Sequence, residues 1–347
     1  MRKSSYIFFC LMLTAYSLQL FYPASASQVV DLTEIGIGAK PLGMGSVFNP
    51  EDNSGSLFQN PAALANIGKY SLTSMSGNVM GEVPYLMFGG AYRTNYGTIG
   101  VGYINASVGG IKEATLVNGV PEITGNEANY GSGTLLIGFA KDAKWNTKVG
   151  ASLKFINQGF SGAPSFEGAG GGGFDLDLGT IIPINERLTG ALTLKNIIPG
   201  SNMRGDELPL AIVGGLAYKV PDRNWLAAVD LASTTRGLLF HLGAEWNPFK
   251  QFFLRAGLDQ KPDNINYSLG VGTRARGFNF DYAYHTYAGL GEMTTHYFSI
   301  GYVGEEPKVE SPPPVAPKPV IVKPAVKKPG KAPVVIKKKV IIPPKKK

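Results

Sequence analysis

Thiol chemistry is almost missing from this sequence. Its one cysteine, Cys10, lies in an apolar stretch near the N-terminus. Loss of that stretch by processing would leave no disulfide, no thiol nucleophile and no thiolate metal site. Charge is scarce as well: charged residues make up 17% of the chain, against roughly 25% in an average soluble domain. Beyond the N-terminus there is no run of about twenty apolar residues, which argues against a helical membrane protein. Catalytic signatures are missing too. The pair Gly36-x-Gly38 lacks the third glycine of a dinucleotide fingerprint, and Gly168–Gly173 is not followed by Lys-Ser/Thr as a phosphate loop requires. His241, His285 and His296 fall in separate segments without metal-ligand spacing, and no Ser-His-Asp arrangement stands out. Neither an enzyme nor a cofactor is expected.

What the sequence does have is glycine, 45 residues of it, and repeated alternation. In one segment Ile265, Tyr267, Leu269 and Val271 alternate with Asn266, Ser268, Gly270 and Gly272. In another, Phe240, Leu242, Ala244 and Trp246 alternate with His241, Gly243, Glu245 and Asn247. A period of two places each set on its own strand face. About fourteen such segments fill residues 70–304, most of them near the 9–11 residues that a tilted transmembrane strand needs. Even-numbered connections are short, whereas the spans 106–131, 158–170 and 197–207 read as long loops. That parity suits a membrane barrel with short periplasmic turns, and it puts both ends of the barrel in the periplasm. A soluble sandwich or lipocalin-like barrel shows the same alternation with the faces exchanged. Three features favour the membrane: the polar faces are rich in glycine and poor in Lys and Glu, Trp225, Trp246, Tyr284 and Tyr302 gather toward strand ends as an interfacial girdle would, and the strand number is even. The fold class expected is all-β, a transmembrane antiparallel β-barrel of about 14 strands.

The rest of the chain divides around this barrel. Arg2 and Lys3 precede a mostly apolar stretch over 6–20 and the small-residue triplet Ala24-Ser25-Ala26, which reads as a secretory signal over 1–26. Residues 27–69 are rich in Gly, Pro and Asn and precede the first strand as a candidate hatch or plug. Residues 305–347 hold eleven Pro and twelve Lys against three Glu, a composition suited to a disordered, extended arm. That arm accounts for the overall charge of +8, because it alone carries +9 and the N-terminal segment +2, leaving the body at −3. No nucleic-acid surface is implied on the body. The arm suits peptidoglycan or another anionic periplasmic partner and resembles the Pro/Lys spacers of periplasm-spanning proteins such as TonB. A plain solubilising extension is the alternative.

Inward-facing polar positions are candidate lumen residues: Asp175, Asp177, Asp230, His241, Glu245, Arg255, Asp259 and Asp281. They would anchor a plug or line a solute path. Asp175 and Asp177 share one strand face, either as a cation site or, more simply, as two solvated residues.

The segment Gly36-Ile-Gly-Ala-Lys-Pro-Leu-Gly-Met-Gly45, followed by an acidic/Asn/Ser stretch and Asn60-Pro61-Ala62-Ala63-Leu64, resembles the opening of the FadL-like outer-membrane proteins. It is most similar to the PorV/PorQ-type branch, although Ser46 stands where that branch has another glycine. The resemblance implies a fourteen-stranded barrel in the cell outer membrane. It also implies an N-terminal hatch containing Gly43, Gly45, Asn60, Pro61 and Ala62. Gly43 and Gly45 permit close backbone approach, and Pro61 with Asn60 fixes a turn. Passage of a hydrophobic or amphipathic small solute is the function so implied. A scaffold or shuttle for secretion-system proteins, and an anchor whose tail tethers to the cell wall, are the alternatives. Outer-membrane lipid is an expected partner in every case.

Overall fold

The computed structural model describes residues 31–47, 53–166, 168–198, 208–221, 223–234, 237–261, 264–288 and 293–304. The signal at 1–26 and the Pro/Lys arm at 305–347 lie outside the described residues.

Fourteen antiparallel strands close into one barrel. They are β1 Tyr70–Val79, β2 Val83–Thr94, β3 Gly97–Val117, β4 Val120–Asp142, β5 Lys148–Ser161, β6 Gly170–Pro183 and β7 Leu188–Lys195. The second half comprises β8 Ala211–Val220, β9 Trp225–Thr234, β10 Gly237–Phe249, β11 Phe252–Gln260, β12 Ile265–Ala275, β13 Phe278–Tyr287 and β14 Met293–Gly304. Each strand pairs with its chain neighbours, and β1 closes the ring against β14 from Tyr70↔Gly304 to Gly77↔Tyr297. Closure leaves no strand edge to be satisfied by water, which is the condition for crossing a bilayer with strands.

The alternation has the polarity of a membrane barrel. On β12, Ile265 and Leu269 are 47% and 60% exposed, whereas Asn266 and Ser268 are each 2% exposed. The same inversion holds around the wall, with Leu72, Phe88, Val101, Ile137, Leu254 and Ile300 all turned outward. A soluble monomer rarely exposes an apolar patch of more than a few hundred Å², so a continuous outward belt identifies lipid as its solvent. Trp225 and Trp246 stack at one rim, with ring centroids 5.6 Å apart, as an interfacial girdle requires.

The expected long loop at 106–131 is not a loop. It continues β3 and β4 to 21 and 23 residues, joined by Asn118-Gly119 with φ of 51° and 81°. Two positive φ values in a two-residue connection define the hairpin turn that matches strand twist, and Asn-Gly is its preferred sequence. Weak alternation hid the strands: outside the membrane both faces of a ribbon meet water, and the register also shifts between Val108 and Ile111.

Residues 31–47 and 53–69 enter the barrel. A 3-10 turn at Leu32–Glu34, a short helix α1 at Ala39–Gly43, and 3-10 turns at Ser54–Phe58 and Pro61–Asn66 build the plug. Leu42, Leu57, Phe58 and Leu64 are fully buried against wall residues such as Met75, Met87 and Ile104. Inward glycines make the room. A Cβ on Gly257 would lie 2.1 Å from the Gly45 nitrogen and the Met44 carbonyl carbon, and one on Gly150 would lie 2.5 Å from the Pro61 carbonyl carbon. The glycine-rich inner face is therefore the footprint of the plug.

Because strand pairing holds the wall, a Gly257→Val side chain should displace the plug, at the 1–3 kcal/mol typical of overpacking. The variant barrel is expected to keep heat-modifiable gel migration while its planar-bilayer conductance rises above wild type. Unchanged conductance would show that this plug segment does not limit passage.

Candidate functional site

The site is the interior between plug and wall. Each plug element begins with a residue that serves both local and tertiary structure. Asp31 caps the first 3-10 turn by accepting from the Thr33 amide at 2.8 Å. Asn60 caps the last one, its Oδ1 accepting from the Ala62 amide at 3.0 Å. The Asn60 Nδ2 donates to the carbonyls of Thr180 and Leu192 at 3.3 and 3.4 Å, bridging β6 and β7. Pro61 supplies the first turn position, and Ala62 packs with Ala63 against Ile181 and Ala191. Gly38 enters α1 at φ 89°, a conformation that favours glycine.

Gly43 passes over Gly270 of the wall so closely that neither has room for an ordinary side chain: a Cβ on Gly43 would sit 2.9 Å from the Gly270 Cα. Gly45 donates its amide to the Ser268 hydroxyl at 2.9 Å, and its carbonyl lies 3.2 Å from His241 Nδ1. Ala39 donates to the Ser299 hydroxyl at 2.7 Å. All five sequence-proposed plug residues thus touch the wall or support a turn that does.

The eight lumen candidates gather into groups rather than lining an open path. In the first, Lys154 of β5 reaches Asp31 at 3.2 Å and Asp177 at 3.0 Å, and donates to Asn196. Asn196 also donates to Asp31 and, through its backbone, to Asp177. Asp175 accepts from the amides of Leu176 and Ile198 at 2.7 and 3.0 Å. Asp175 and Asp177 are therefore buried and bonded, not solvated as the simpler sequence reading held. Among the described residues no cluster of His, Cys, Asp and Glu has the makings of a metal site.

The second group is Arg255, 2.7 Å from both Glu245 and Asp281, with Lys40 of the plug 3.8 Å from Glu245. The third is Asp259, at 2.9 Å from His241, 3.3 Å from His285 and 3.2 Å from Lys261. Asp230 sits opposite His241 in the β9–β10 register and borders a cavity.

Sequence reasoning missed Asp31, Lys154 and Asn196, and with them Tyr85, whose hydroxyl lies within 3.1 Å of the Leu32 and Gly36 carbonyls. Lys154 did carry a signal. It occupies an inward position between the outward Leu153 and Phe155, and an inward lysine in a small-residue face needs a carboxylate.

The plug closes one rim and leaves space toward the other. At the rim of the even-numbered turns, Arg93 donates to the Ala65 and Ile67 carbonyls at 2.9 and 3.2 Å. Arg93 and Lys148 share Asp142 at 2.9 and 2.7 Å. Toward the odd-numbered connections, a cavity of about 160 Å³ lies between plug residues 33–42 and the wall of β7–β10. Ile37, Leu42, Ala211, Val213, Ala232 and Leu239 line it alongside Thr193, Lys195, Asp230 and His241. An engineered apolar cavity of about 150 Å³ holds benzene, so one small aromatic ring matches this space.

Burial alone would raise the Asp31 carboxyl, but Lys154, with Lys195 behind it, outweighs burial and holds the group well below the usual carboxylate range. A carboxyl lowered in the folded state stabilises fully above its unfolded value near 4, and that contribution is lost as pH falls below it. In urea, cleavage after Glu34 by a Glu-specific protease is expected to need the same urea from pH 8 to about 5 and less below about 4. Asp31→Asn should lose that acid dependence. Lys154→Met strands two buried carboxylates and should cost about 3–5 kcal/mol, read as a lower urea midpoint for the same cleavage.

Scans against protein-family models and against curated proteins give no match. Solved structures do match. The toluene transporter TbuX of Ralstonia pickettii aligns with a TM-score of 0.60 at 12% identity, over 77% of this chain and 98% of that one. The Pseudomonas putida toluene transporter TodX gives 0.57 at 14%, over 79% and 98%. A FadL homologue of Pseudomonas aeruginosa gives 0.54 at 12%, over 80% and 100%. Identity this low speaks for the fold alone, which these barrels share with this chain.

Proposed function

We propose that this protein is an outer-membrane channel for small apolar or amphipathic solutes, gated by residues 31–69. The observation that carries the reading is the cavity beside the plug. It lies toward the odd-numbered connections, whereas the opposite rim is sealed by 61–67. Its size suits one aromatic ring, and the similar barrels of Ralstonia and Pseudomonas putida are toluene transporters by description. In the orientation that short turns favour, the even-numbered rim and both barrel ends face the periplasm and the cavity faces outward. A solute would enter the cavity first and pass only when the plug yields. The plug motif Gly43, Gly45, Asn60, Pro61 and Ala62 acts as the hatch, and the three charged groups hold it in place.

A second reading keeps the PorV/PorQ-type assignment, with the protein as a scaffold for secretion-system partners. It is favoured by the backbone-to-backbone fit of plug and wall and by the long β3–β4 hairpin, which offers surface beyond the bilayer. The Pro/Lys arm suits an anionic periplasmic partner such as peptidoglycan in either reading.

Liposome influx of toluene separates the two. Wild type is expected to admit it, Ala232→Phe to slow it about tenfold by filling the cavity, and deletion of residues 28–66 to abolish selectivity against polar solutes. If neither wild type nor the deletion moves an apolar solute, transport is wrong. Stoichiometric protein partners recovered in mild detergent would then support the scaffold.

A further inference from the structure

The two rims of the barrel differ in chemistry. Five of the six even-numbered turns carry an exposed cation: Lys144, Arg187, Arg223, Lys250 and Arg276. Lys141 and Lys219, each one residue inside its strand end, are exposed as well. Among the described residues of this rim the exposed acids are Asp142, already shared by Arg93 and Lys148, and Glu186. At the opposite rim the described exposed charges are mainly acidic, with Glu82, Glu122 and Glu127 against Lys112.

The cations are set among aromatics. Tyr92, Tyr96, Trp145, Trp225, Phe249 and Phe252 are all exposed at the even-numbered rim, with Tyr96 and Phe249 the most open at 87% and 71%. Amphipathic rings mark the height of lipid headgroups, so the cations beside them stand at headgroup level. Long basic side chains at that height reach outward to phosphate.

We propose that this rim is a basic collar that binds the headgroups of anionic phospholipids and so draws an annulus of them around one end of the barrel. The proposal rests on the membrane-barrel reading but not on transport. Charge excludes two other occupants. The chain's own C-terminal arm is itself basic, with twelve Lys against three Glu, and a second copy would present the same cations. A layer of phosphate esters is complementary in sign, and it occupies the plane that the aromatics define.

The protein supplies a local reporter. All three of its tryptophans, Trp145, Trp225 and Trp246, are exposed at this rim. Full-length protein is reconstituted in mixtures of phosphatidylglycerol and phosphatidylethanolamine, with one or the other brominated in the upper acyl chain. Tryptophan quenching then gives the relative association of the two lipids with the collar. Wild type is expected to prefer phosphatidylglycerol by about threefold or more at low salt. The preference should vanish in about 0.5 M salt and in the variant K141Q/K144Q/R187Q/K219Q/R223Q/K250Q/R276Q, which retains the basic arm. A control exchanging Lys for Arg, and Arg for Lys, at the same seven positions should keep it. Equal quenching by both lipids in wild type overturns the proposal. So does a preference that survives in the glutamine variant, since the arm would then be its source. Should the glutamine variant fail to show heat-modifiable migration, single and double substitutions test the same point, each expected to lower the preference in step with the charge removed.

Discussion

A plug can lie inside a fourteen-stranded wall only where the wall gives up its side chains, and this close approach organises the rest of the interior. Backbone meets backbone at Gly43 and Gly270, at Gly45 and Gly257, and at Pro61 and Gly150. Such contacts tolerate little displacement, because protein interiors pack at the density of crystals. They fix the plug's rotation and depth, so that Ser268, Ser299 and Tyr85 find amides or carbonyls to bond. The same approach explains why so many inner positions are glycine while the outer face of every strand carries large apolar side chains.

Charge is used sparingly within this interior, and always with partners. Lys154, Asp31, Asp177 and Asn196 form a closed set in which a plug carboxylate and a wall carboxylate share one ammonium. Buried ion pairs gain little net stability over apolar packing, yet losing one partner is costly. They therefore serve location better than strength. A plug displaced from its seat would leave Lys154 with fewer counterions, so partial withdrawal is penalised more than complete release into water. The Arg255 group repeats this arrangement through Lys40 in the other half of the barrel.

The fold was largely legible in the sequence because period-two patterning survives wherever one strand face meets lipid. All fourteen strands fall where the alternation put them, and the parity of the connections separated the rims. It failed at 106–131, where both faces of the β3–β4 ribbon meet water, so that only Asn118-Gly119 remained as a sign. The site was legible in part. Inward polar positions could be named because each sits opposite an apolar neighbour, but their grouping could not. Lys154 and Asp31 are 123 residues apart, and nothing local announces that a cap on a short turn will meet a lysine across a lumen. Asp175 and Asp177 illustrate the same limit: alternation places them inward but says nothing about whether water or protein fills the space there.

The pairing of Tyr70 with Gly304 has a consequence for biogenesis. The strand that follows the plug is the first to be made, yet its partner on one side is the last. Until β14 arrives, the sheet is an open ribbon and the plug has wall on only part of its circumference. The plug is thus synthesised before its container and enclosed when the container shuts. Its seats on β5 and β6 can be occupied early, whereas those on β11 to β14 exist only near completion. Barrel closure and plug seating are then successive parts of one event, and a chain halted before its last hairpin would display the glycine-lined channel with its stopper only half gripped.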